Sequence, residues 1–197
     1  GAGNLLGAEQ SGFITDMGFE TYQKILSEAM EELGVETGLT SGNIKGSYVS
    51  DCTIETDQLA LIPDSYISLS AEKIRIYKEL DSLGSDSEIE TVKSRLEDRF
   101  GPIPEELAAL LMIVRIRHRG EKLGFEKIII KNGIMILFFI NNPMSQYYKS
   151  PVFQSVIESL NKNHDFELKQ NDNRLRLVNR KVESLDKAYA LLGKLGK

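Results

Sequence analysis

The sequence predicts an α+β fold: N-terminal helical segments, then a ββαββα C-terminal unit with helices packed on a mixed or antiparallel sheet. Three observations predict it. Between residues 70 and 123, apolar side chains return every three or four positions, the period of a helix. From residue 125 this gives way to two apolar runs joined by Asn132-Gly133, the strongest short hairpin signal, because both turn positions ask for positive φ. A Ser150-Pro151 helix start and a second strand pair across Asn171-Asp172-Asn173 then repeat the layout.

Residues 1–18 carry Gly1, Gly3, Gly7, Gly12 and Gly18 and read as irregular. In 19–33, Phe19, Tyr22, Ile25, Leu26, Ala29, Met30 and Leu33 recur at helical spacing, and Gly34 ends the helix. Residues 35–50, rich in Gly, Ser, Thr and Asn, read as a linker. The expected organisation is therefore a 1–50 segment and a 51–197 domain, with a helical part over about 60–123 and the ββαββα part over about 124–197.

Within that domain, 51–59 alternates weakly and reads as an extended strand, and Pro63-Asp64 opens a turn. A helix over 70–83 sets Ile74, Tyr77 and Leu80 on one face. The next begins at Ser85, with Glu88 at capping-box spacing and Ile89, Val92, Leu96 and Phe100 as its stripe. Gly101 stands just past its end, Pro102 and Pro104 forbid continuation, and a third helix runs from 104 to about 123. The 125–140 hairpin strands are so apolar that helices should cover one face. A helix from Ser150, strands at 166–169 and 175–178 and a last helix over 184–195 complete the layout.

Composition narrows the class. Apolar residues make up 41% and charged residues 27% of the chain, the balance of a globular protein. No apolar run approaches the roughly 20 residues that cross a bilayer, and no signal peptide is visible. The lone Cys52 forms no internal disulfide and suits a reducing cytoplasm. The net charge of −5 is uneven. Residues 1–110 hold 8 Lys and Arg against 21 Asp and Glu, or −13, and the remainder hold 16 against 8, or +8. Either both are ordinary solvated surfaces or the two halves face different partners.

No enzymatic constellation appears. There is no phosphate-cradling Gly-x-x-x-x-Gly-Lys-Ser/Thr, no His-Glu-x-x-His, no Cys-x-x-Cys and no Gly-x-Ser-x-Gly. No catalytic residue, metal site or cofactor is expected in this chain. His118 and His164 read as interfacial or solvated. Arg115, Arg119 and Lys122 share a helix face that either touches phosphates or complements a helix C-terminus. Tyr147-Tyr148, beside Lys149, offers either a stacking platform or packing over a hairpin.

Four stretches carry a resemblance. Residues 1–12 (GAGNLLGAEQSG) resemble the end of the second motor lobe in bacterial transcription-repair coupling factors, with a related sequence in RecG-type helicases. Residues 61–67 (LIPDSYI), 75–78 (RIYK) and 98–104 (DRFGPIP) resemble the coupling factors and not RecG. The resemblance implies the C-terminal portion of a superfamily-2 ATP-dependent DNA translocase. That parent binds ATP and magnesium, moves on double-stranded DNA, acts on stalled RNA polymerase and recruits excision repair through UvrA. Gln10 matches the translocation-motif glutamine. The resemblance further implies a regulatory domain that masks the parent's UvrA-binding N-terminal module, with Asp98 and Arg99 in the interface. Arg95 falls where familiar members carry an acid. The alternative expectation is a nucleic-acid-binding accessory module using the basic half.

Overall fold

The computed structural model describes residues 48–171 and 174–196. The helix expected over 19–33, and Gln10, lie outside them. The described chain divides into two compact units, 59–111 and 48–58 with 112–196.

The first unit is helical. It contains α1 (Ser70–Ser82), α2 (Asp86–Phe100) and the first turns of α3 (Glu105–Leu123). At the start of α2 the expected box forms: the Glu88 N–H donates to Ser85 Oγ at 3.3 Å. The Glu88 carboxylate in turn accepts from the Ser85 hydroxyl and the Gly84 N–H, each at 2.9 Å. Gly101 takes φ 90° and donates its N–H to the Glu97 carbonyl at 2.9 Å, ending the helix by the glycine route. Pro104 accepts the first backbone bond of α3, from Ala108.

The apolar stripe of α1 differs from the expected one. Ile76, Tyr77 and Leu80 are buried, Ile74 is half-buried, and Lys73 is buried in its place. The cause lies in the preceding segment, which straps across the helices. Asp64 pairs with Lys73, and the Ile62 N–H donates to the Tyr77 hydroxyl at 2.9 Å. The Tyr66 hydroxyl lies 3.0 Å from the Leu96 carbonyl and 2.9 Å from that of Gly101.

The second unit is a sheet with helices. Among the described residues the sheet has five strands in the order β1-β2-β3-β5-β4. These are β1 (Thr53–Thr56), β2 (Phe125–Lys131), β3 (Ile134–Phe139), β4 (Glu167–Asn171) and β5 (Arg174–Asn179). β1 runs parallel to β2 and the other pairings are antiparallel, so the sheet is mixed. Asn132 and Gly133 take φ of 53° and 72°, the geometry the β2–β3 turn asks for.

Strand alternation then decides burial. Phe125, Ile128, Ile130, Met135, Leu137 and Phe139 are buried, whereas Ile129, Ile134, Ile136 and Phe138 are half-buried. α3 lies against β2 and the residue that leads into β1: a Cβ added at Gly120 would stand 2.7 Å from Cys52 Sγ and 2.8 Å from Ile128 Cδ1. α4 (Pro151–Lys162) sets Phe153 on Phe139 with ring centroids 5.6 Å apart, and its Ser150 cap accepts from the Phe153 N–H. α5 (Leu185–Leu192) is shorter than expected, ending at Gly193.

Candidate functional site: the polar end of α2

The end of α2 is apolar on one face and charged on the other, because Ile89, Val92 and Leu96 recur at helical spacing and leave 95, 98 and 99 outside. Arg95 and Arg99 stand one turn apart. Glu72 and Glu79 stand two turns apart on α1. The result is a two-rung ladder between the helices. Arg95 Nη2 donates to Glu79 Oε2 at 2.5 Å, and Arg99 Nη1 to Glu72 Oε1 at 2.6 Å. Arg75 donates to the same Glu72 oxygen at 2.6 Å.

The Arg99 guanidinium also lies 4.8 Å from the Phe100 ring centroid, and Phe100 in turn packs on Tyr66 at 5.7 Å. Arg75 first, and then Arg99, hold the Glu72 carboxyl below its ordinary range. Glu79 pushes the Arg95 guanidinium up. Asp98 is exposed one residue before Arg99. Arg99 itself keeps 55% of its side chain in solvent. Of the expected contact residues, Arg95 and Arg99 are thus brought together on one ladder with Asp98 beside them. Glu72, Glu79 and Arg75 were not singled out in the sequence. The Glu72–Arg75 spacing was visible there, but the cross-helix pairing needs the angle between α1 and α2.

The other singled-out residues fall elsewhere. Arg119 Nη2 donates to the Tyr189 hydroxyl at 2.8 Å, and its guanidinium stacks 3.9 Å from that ring. It therefore ties α3 to α5. Arg115 is half-buried and Lys122 exposed. Arg117, facing away from that set, is buried 3.8 Å from Glu121. His118 is buried, not solvated or interfacial as expected, because the last turns of α3 lie against the sheet. His164 is exposed.

Tyr147 is no stacking platform. It is fully buried and donates to the Leu123 carbonyl at 2.6 Å, and burial pushes its phenol well up. It fills the space beside Gly124, where a Cβ would come within 2.1 Å of the ring. Tyr148 donates to the Ile140 carbonyl at 2.5 Å.

Residues 56–150, which span the strap, the ladder and the β2–β3 hairpin, match the family described as the TRCF domain. The chain carries a TRCF domain. Its relatives agree. It is 37% identical over 146 residues to the transcription-repair-coupling factor of Rickettsia bellii (strain RML369-C), a match covering 74% of this chain and 12% of that protein. To the transcription-repair-coupling factor of Escherichia coli (strain K12) it is 35% identical over 130 residues, or 65% of this chain and 11% of that protein. The chain thus spans about an eighth of the length of the curated relatives it matches. A crystal structure of a C-terminal domain of transcription-repair coupling factor superposes with TM-score 0.60 at 23% identity, covering 72% of this chain and 88% of that one, and shares the fold. The family that residues 61–67, 75–78 and 98–104 resemble is the family found. Those stretches of the TRCF domain hold Asp64 and Tyr66 of the strap, and Arg75 and Arg99, which both bond Glu72.

Proposed function

We propose that this TRCF domain is the non-catalytic regulatory domain of a cytoplasmic, ATP-dependent DNA translocase of transcription-coupled repair. The polar end of α2 masks the parent's UvrA-binding N-terminal module by intramolecular contact. ATP, magnesium, double-stranded DNA, RNA polymerase and UvrA belong to the parent. The relatives' names support the setting.

The observation that carries the masking role is the way Arg99 is held. Glu72 and the Phe100 ring fix a guanidinium that still has more than half of its side chain in solvent. Asp98 stands next to it. A fixed cation beside a carboxylate offers a partner a charge pattern at little further cost in side-chain entropy, and such patterns give specificity more than raw affinity. Arg95, one turn earlier and paired with Glu79, falls where the resemblance expects an acid, so the mask is assigned to Asp98 and Arg99.

The test uses the full-length parent. Asp98→Ala with Arg99→Ala should raise its affinity for UvrA, read by isothermal titration. Unchanged affinity with an unchanged melting curve removes the assignment. A nucleic-acid-binding accessory module, the second reading, loses Arg119 to Tyr189.

A further inference from the structure

Asp98 and Arg99 stand on the last turn of a helix, where the backbone frays most readily because its final carbonyls lack partners within the helix. A contact surface built there needs holding from outside. The strap over 61–67 supplies this through one side chain. The Tyr66 hydroxyl lies 3.0 Å from the Leu96 carbonyl and 2.9 Å from the Gly101 carbonyl. These two residues bracket 97–100, the stretch that carries Asp98 and Arg99, so one hydroxyl ties both of its ends. The Tyr66 ring packs on Phe100 with centroids 5.7 Å apart, and the Arg99 guanidinium lies 4.8 Å from that same Phe100 ring. Partial burial first, and Glu97 second, push the Tyr66 phenol up, so it stays a protonated donor at neutral pH.

Tyr66 is itself seated without help from α2. The Tyr66 and Ile67 N–H groups both donate to the Pro63 carbonyl at 3.0 Å. Ile62 and Ile67, on either side of that turn, are 1% and 3% exposed. Asp64 pairs with the buried Lys73 of α1, and the Ile62 N–H donates to the Tyr77 hydroxyl. The strap is therefore fixed by its own turn and by α1, which leaves the Tyr66 hydroxyl to act on the end of α2. Glu72 holds only the tip of Arg99, whereas Tyr66 holds the backbone from which both Asp98 and Arg99 project.

We propose that Tyr66 is the positioning residue of the mask: through Phe100 and the carbonyls of Leu96 and Gly101 it sets where Asp98 and Arg99 stand. This rests on the masking role proposed above and adds to it a residue outside α2.

The test has two arms. In the isotope-labelled chain, Tyr66→Phe keeps the ring and removes the hydroxyl. It should speed hydrogen exchange of the Gly101 amide, which bonds the Glu97 carbonyl, by about threefold or more. Tyr66→Leu removes the ring as well, and should also move the Arg99 side-chain resonances towards those of a solvated arginine. In the full-length parent, Tyr66→Phe should raise the affinity for UvrA by about threefold, less than Asp98→Ala with Arg99→Ala does. The deciding measurement combines them. In a parent already carrying Asp98→Ala and Arg99→Ala, Tyr66→Phe should change the affinity no further, because its effect runs through those two residues. An equal change in both backgrounds makes Tyr66 merely structural and overturns the proposal. So do Gly101 exchange and Arg99 resonances that neither variant moves. Should Tyr66→Leu not fold, Tyr66→Phe alone decides. If Asp98→Ala with Arg99→Ala leaves UvrA affinity unchanged, it is the masking role that falls, and the exchange and resonance changes in the chain then decide whether Tyr66 positions Arg99.

Discussion

Glu72 sets the chemistry of the ladder at the scale of a single residue. One of its carboxylate oxygens accepts from both Arg75 and Arg99, and its pKa is held down by Arg75 first and Arg99 second. A depressed carboxyl contributes where it is ionised, above the ordinary value of about 4.3, and the contribution fades as pH falls through the lowered folded value. The side chains around it are largely solvated, so the effect on stability is small. The titration itself is the readout. A carbon-detected titration should place the Glu72 midpoint below that of exposed glutamates, Arg75→Ala should move it back further than Arg99→Ala, and an ordinary midpoint in the unsubstituted chain would refute the pairing. Single residues also mark where sequence reading ended. Gly101 and Asn132-Gly133 were legible because φ is a local property. Lys73 was not, because its burial depends on Asp64 reaching it from another segment.

At the scale of elements, periodicity located α1, α2, α3 and the two hairpins to within a few residues, since helix and strand spacing follow from which faces are apolar. It did not reveal that β1 runs parallel to β2 in the same sheet, because parallel partners leave no turn signal between them. Just before β1, α3 closes over Cys52 at Gly120, where there is no room for a side chain between Cys52 Sγ and Ile128 Cδ1. Gly120→Ala should therefore destabilise the chain by about 1–3 kcal/mol through overpacking, although alanine favours a helix by about 1 kcal/mol over glycine. Cys52→Ala, which removes the sulfur, should recover part of that loss in a double-mutant cycle followed by thermal melting. Additive losses would mean that Cys52 and α3 are not in contact at this point. The candidate site followed the same division. The stripe of α2 told which residues face outward, and resemblance told which of them to choose. The ladder that restrains them needed the approach of α1.

For the whole molecule, the proposed masking role has a quantitative consequence. If the resting parent keeps its repair-protein surface covered 99 times in 100, the apparent affinity for UvrA is about 100-fold weaker than that of an uncovered parent, because only the open fraction binds. Removing one hydrogen-bonded charge pair from an interface costs about 2 kcal/mol or more, roughly a 30-fold shift in the closed-to-open ratio. A parent carrying Asp98→Ala and Arg99→Ala should then gain about 20-fold or more in affinity, approaching but never exceeding that of a parent whose C-terminal TRCF domain has been removed. Deletion defines the ceiling because a lost mask cannot improve the intrinsic site. Measured side by side by isothermal titration, the three proteins should rank intact, doubly substituted, deleted. A doubly substituted parent that binds more tightly than the deletion would mean that Asp98 and Arg99 oppose UvrA directly, and a deletion no tighter than the intact parent would mean that this domain masks nothing.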